Sequence, residues 1–143
     1  MAEIFPEEGL DIILGQFPKD TTRLSTTYLC LFTNFTASTV MTAAQTMADV
    51  TEAAFTNYAR QALAAATWGA QADEGTTGRS TTYSQVSFPA SGSSETINGF
   101  FISDILSTTG DKVVCMANFD DTTAASLTSG DVIKVTPKIQ LNH

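Results

Sequence analysis

The chain has 143 residues, 43% of them hydrophobic and 15% charged, a balance that excludes a disordered polymer and suits one globular domain over residues 1–143. Fifteen Asp and Glu against seven Lys and Arg give a net charge of −8, and no two basic residues are adjacent. Phosphate backbones are held by clustered cations and a bilayer is crossed by ~20 apolar residues in a row, so the sequence argues for no nucleic acid and no membrane as partner.

The amino end, MAEIFPEEGLDIILGQFPK, carries acid where an export signal carries base, so the chain is expected to be made and kept in a cytoplasm. Leu10, Ile13, Leu14 and Phe17 recur at helical spacing, Glu7 and Glu8 suit the positive end of a helix dipole, and Pro6 and Pro18 mark the edges. A short amphipathic α-helix is predicted from about residue 7 to residue 17, inside an arm covering residues 1–20. Its apolar stripe is a candidate interface, and packing over the chain's own sheet is the alternative use.

A β region is predicted over residues 25–142. In STTYLCLFTNFTAS, Tyr28, Cys30 and Phe32 fall on one face and Leu29 and Leu31 on the other, so the strand is apolar, and buried, on both sides. Cys30 and Cys115 have no CxxC spacing and, in a reducing compartment, read as two buried thiols. DVTEAAFTNYARQALAAATW is divided evidence. Asp49 and Glu52 resemble a capping box, and Phe55, Ala59, Ala62 and Ala66 make a helical stripe, so local propensity favours a helix over residues 50–66.

GAQADEGTTGRSTT and PASGSSET have the composition of exposed loops, with a strand predicted between them at YSQVSF. TINGFFISDIL and DKVVCMANF are further strands, and the short STTGD between them implies an antiparallel hairpin. TAASL and VIKVTPKIQL follow, joined by TSGD. Pro137 cannot donate a ladder hydrogen bond, which puts the last strand at an edge or gives it a bulge. About seven strands separated by turn signals predict a mainly β fold, an antiparallel, jelly-roll-like β-sandwich with the short N-terminal helix attached.

Catalytic vocabulary is sparse. The single histidine is His143, so acid–base and nucleophilic machinery built on imidazole has no candidate in the body of the chain. GTTGRS resembles the end of a phosphate-binding loop, but Asp73 stands where its first Gly belongs and Arg79 replaces its Lys. Asp104, Asp111, Asp120 and Asp121 could gather round a calcium ion, although no EF-hand spacing occurs and turn chemistry explains such acids. No catalytic residue, metal site or cofactor is therefore expected. Arg60 sits in an apolar run and needs a partner, either Glu52 in an internal ion pair or a neighbouring chain. Trp68 is an interface candidate or a core-edge aromatic.

The succession YARQAL, a tryptophan, GRSTTYSQVSFPA, TINGFFISD and MANFDDTTAASLTSGDVIKVTPKIQL resembles small virion structural proteins of tailed bacteriophages, cyanophages included, of the capsid decoration or cement type. The likeness runs from about Tyr28 to Leu141 and more loosely through PEEGLDIILG, while SGSSETING departs from the Trp or Gly that follows the Phe-Pro loop in such proteins. The resemblance implies that the segment from about Asn57 to Trp68 is extended, against its helical propensity. It further implies a non-enzymatic protein on the capsid exterior, binding the major capsid protein and itself as a homodimer or homotrimer. A tail, neck or fibre-base component in assembly or host recognition is the second reading.

Overall fold

In the computed structural model of the chain, residues 6–7, 9, 26–36, 42–74, 78–119 and 125–141 are described. The alternation of apolar residues in chain order produces β1 (Thr26–Phe32), β2 (Gln61–Ala64), β3 (Ala72–Asp73), β4 (Arg79–Thr82), β5 (Val86–Pro89) and β6 (Glu95–Ile97). It continues with β7 (Gly99–Ser103), β8 (Val113–Asn118), β9 (Ala125–Leu127), β10 (Val132–Val135) and β11 (Lys138–Leu141). The named strands all pair antiparallel, in the orders β2-β1-β7-β8, β10-β5, β11-β4-β3 and β6-β9. The chain is mainly β, as expected.

The four-stranded sheet is the structural centre because both of its faces are apolar. Leu29, Leu31, Phe100, Ile102, Cys115 and Ala117 share a core with Phe88, Ile97, Leu127, Ile133 and Val135 from the other sheets. Cys30, Phe32, Phe101, Val113 and Met116 form a second cluster with Phe35. Leu29 through Phe32 are wholly buried, as the two-sided apolar pattern predicts. Cys30 and Cys115 belong to different clusters and are buried thiols. Burial pushes the Cys30 thiol well above its ordinary range, with the Glu52 charge adding to the effect, so it stays protonated and inert.

Gly99 explains how β7 can lie so close to its neighbours. A Cβ there would collide with the Ala117 carbonyl oxygen and stand 2.5 Å from Phe32 Cζ and 2.8 Å from Asn118 Cα. Next to it, Asn98 and Asn118 clamp the end of β1: Asn98 Nδ2 donates to the carbonyls of Thr33 and Asn34, and Asn118 Nδ2 to that of Phe35. Phe35 is held at φ 44, a left-handed conformation that a bulky residue adopts only when its surroundings fix it.

Pro137 acts as the sequence predicts. Val135 pairs with Val86 and Lys138 with Thr82, so Thr136 and Pro137 face Tyr83, Ser84 and Gln85 across a two-against-three irregularity. Tyr83 N donates to the Pro137 carbonyl, 2.8 Å, bridging the gap. The final strand β11 is an edge strand.

Several expectations are corrected. The stretch from about Asn57 to Trp68, which the resemblance implies is extended, forms a strand at β2 (Gln61–Ala64), preceded by a turn at Thr56 and Asn57 and followed by a 3-10 turn over Ala65–Thr67. The capping box lies earlier, with Thr46 as the N-cap and Asp49 closing it around the 3-10 turn Met47–Asp49. The stretch read as a loop before Tyr83 contains β3 and β4, because Arg79–Thr82 finds its partner in distant β11, a pairing invisible to local composition. The YSQVSF strand begins only at Val86, after the break opposite Pro137. TAASL pairs with β6 and VIKV with β5, so TSGD joins two strands of different sheets. The helix predicted over residues 7–17 lies outside the described residues except for Glu7 and Gly9, both of which are in helical conformation.

Candidate functional site

The chemistry of the described residues concentrates around Arg60. The chain passes Leu31–Thr33 of the β1 end at Thr51–Ala53, where Thr33 N donates to Thr51 O and Ala53 N to Leu31 O, both 2.9 Å. That alignment carries Glu52 to the sheet, where it bridges Phe32. Two residues after Tyr58 the chain reaches Arg60, just before β2, and Asp111 arrives from the start of β8.

Arg60 Nε donates to Glu52 Oε1 at 2.9 Å, and Nη2 donates to Glu52 Oε2 at 2.6 Å and to Asp111 Oδ2 at 2.7 Å. Nη1 donates to the carbonyls of Ile105 and Ser107, both 3.1 Å, and to Ser103 Oγ at 3.3 Å. Tyr58 links the cluster to the sheet: its hydroxyl donates to Glu52 Oε1 at 2.6 Å and accepts from Leu31 N at 3.1 Å. The guanidinium stands 5.9 Å from the centre of the Phe101 ring.

These side chains are removed from water: 4% exposure for Arg60, 2% for Asp111 and 17% for Glu52. Burial alone would lower the Arg60 pKa, but the hydrogen bonds it donates to Glu52 and Asp111 outweigh it and hold the guanidinium above its ordinary value. Burial likewise pushes the Tyr58 hydroxyl far up, so it remains a donor. The internal pair with Glu52 weighed for Arg60 is present, and the sequence reading missed Asp111, Tyr58 and Ser103. Asp111 could have been suspected because a charged residue directly follows the Gly110 turn and leads into an apolar strand.

The remaining candidates scatter. Trp68 packs edge-to-face on Tyr83 with centroids 5.3 Å apart, at the margin of the main core. Asp104 accepts from Lys112 N at 2.8 Å. Asp120, Asp121, His143, Leu10, Ile13, Leu14 and Phe17 lie outside the described residues. Among the described residues no group of three His, Cys, Asp or Glu is arranged to hold a metal ion. Arg79 and Ser80 sit in a strand, not at a helix start where a phosphate loop would place them.

Two surface features border these groups. An open depression of about 480 Å³ is lined by Glu52, Ala53, Tyr58, Ala59, Leu106 and Thr108. A smaller groove of about 210 Å³ lies along the β4–β11 edge, with Gln71, Arg79, Thr81, Ile139 and Leu141 on its walls. Among the described residues Leu106 and Leu141 are the most exposed large apolar side chains, at 58% and 57%. Neither hollow gathers an acid, a base and a nucleophile.

A family model that takes in nearly all of this mainly β, antiparallel chain makes it a structural protein of a tailed-phage virion. The family follows from a sequence model that matches residues 7–141: the chain belongs to the family described as podophage GP4 fiber I protein gp80. No curated protein matches the chain. The family description agrees with the second reading of the sequence, the tail and fibre one, better than with capsid cement.

Proposed function

We propose that the chain is a structural component of a podophage fibre. It is non-enzymatic and works by surface contact with copies of itself and with neighbouring virion proteins. The observation that carries this reading is the family match, which takes in nearly the whole chain, residues 7–141. The absence of a converging catalytic set among the described residues is compatible with it, and the apolar edges at β11 and at the 104–110 loop offer contact area. The core shared by the four-stranded sheet with β5, β9 and β10 supports a sandwich-like description of the fold. Virions assemble from repeated subunits, so a homodimer or homotrimer is the expected form.

The position is tested by immunogold labelling of intact particles with an antibody to this chain. Gold at the tail or its fibres is expected. Gold spread over the capsid faces would restore the cement reading, with the major capsid protein as partner. Sedimentation velocity of the purified chain tests self-association, and a strict monomer at high concentration would remove the homo-oligomer.

A further inference from the structure

Leu106 and Leu141, the two leucines most open to water among the described residues, stand beside charges of opposite sign. In the loop between β7 and β8, Asp104 is followed by Ile105, 37% exposed, and by Leu106. Asp104 Oδ1 accepts from Lys112 N, and its Oδ2 has no partner among the described residues. On the edge strand β11, Leu141 lies directly across from Arg79 of β4, and Ile139 from Thr81. Alternate residues of a strand share a face, so these four side chains wall the groove of about 210 Å³ together. The described ion pairs engage Arg60 and Lys138, which leaves the exposed Arg79 without a carboxylate among the described residues.

We infer that the 104–106 loop of one copy seats in the β4–β11 groove of the next, with Leu106 against Ile139 and Leu141 and Asp104 against Arg79. This contact presupposes the self-association proposed above and gives it two surfaces. A cavity of ~150 Å³ already admits a benzene-sized guest, so a hollow of about 210 Å³ admits an aliphatic side chain. Both leucines stay exposed, so neither covers the other within one chain.

Charge selects this pairing over its alternatives. Loop against groove sets a carboxylate on a guanidinium, whereas loop against loop would bring two Asp104 side chains together and groove against groove two Arg79. Loop and groove are different patches, so the contact is heterologous: it runs head to tail, closing into a ring where the rotation allows and extending as a filament where it does not. Arg60 prepares the loop for this, because its bonds to the carbonyls of Ile105 and Ser107 hold one shape and reduce the ordering that docking requires.

Sedimentation velocity of the full chain and of two charge reversals tests this. Arg79→Glu and Asp104→Lys should each weaken self-association by about tenfold or more, because like charges then meet at the contact. Their equimolar mixture should recover it, since the two reversed surfaces fit each other and the two unreversed ones still do. If Asp104→Lys does not fold, single cysteines at two exposed positions decide. Leu106→Cys mixed with Leu141→Cys should give, on mild oxidation, the mixed disulfide in excess of its statistical share, and the buried Cys30 and Cys115 do not compete. A parent chain that stays monomeric at high concentration removes self-association and this contact with it. A parent chain that associates, while both reversals associate equally well or the disulfides form in statistical proportion, overturns the loop-in-groove contact and leaves self-association standing.

Discussion

Replacing Arg60 by Met is the most informative single perturbation of this fold. Methionine keeps an unbranched aliphatic side chain but removes the cation from a site where Glu52 and Asp111 are 17% and 2% exposed. Two carboxylates would then face each other with little water, and seven Arg60 hydrogen bonds would be lost, three to Glu52, one to Asp111, one to Ser103 and two to the loop carbonyls. Removing one partner of a buried pair costs ~3–5 kcal/mol, out of a total stability of ~5–15 kcal/mol for a domain. Because a chain of this size shifts its Tm by ~3–4 °C per kcal/mol, the midpoint should fall by roughly 10–20 °C. Urea unfolding followed by Trp68 fluorescence reads the change, since Trp68 leaves the Tyr83 ring when the core opens. Combining Arg60→Met with Glu52→Gln and Asp111→Asn should recover most of the loss, because no unpaired buried charge remains. If Arg60→Met alone stays within ~1 kcal/mol of the parent chain at neutral pH, the site is solvated and the reasoning fails.

Three further outcomes follow from the same packing. Gly99→Ala should cost more than the ~1–3 kcal/mol of ordinary overpacking, because the added carbon meets the backbone of β8 as well as Phe32; a soluble variant with unchanged thermal midpoint would refute the close approach. Tyr58→Phe leaves Leu31 N without its acceptor and deprives Glu52 of a donor, so chemical denaturation should show a loss of ~1–3 kcal/mol. Cys30 and Cys115 should be silent to a thiol reagent in the native chain and react together in denaturant; rapid labelling of either thiol without unfolding would contradict their burial.

How much of this was legible beforehand depends on the range of the interaction. β1 was readable because its alternation is written in seven consecutive residues, and the irregularity opposite Pro137 because the missing N–H is a property of one residue. β4 was not, since RSTT has no apolar alternation and becomes a strand only through its distant pairing with β11. The same holds for the Arg60 cluster. Glu52 lies eight residues away and was named, whereas Asp111 lies 51 residues away and meets Arg60 only after β1, β7 and β8 have assembled.

The stretch around Arg60 shows why local propensity lost. As a helix, Phe55, Ala59, Ala62 and Ala66 would share one face, but Glu52, Tyr58 and Arg60 would not converge on the end of β1. In the extended form Leu63 alone reaches complete burial among Gln61–Ala64, opposite Thr27, while the intervening alanines stay exposed. Alanine loses little by being extended when a neighbouring strand supplies its backbone partners, and a helix here would strand a guanidinium and two carboxylates in the interior. The buried charge cluster is thus a selector of conformation: its members are satisfied together only in the sheet. The same cluster fixes the loop that carries Ile105 and Leu106, so the geometry that decides the fold at residues 50–68 also decides which apolar side chains this chain presents outward.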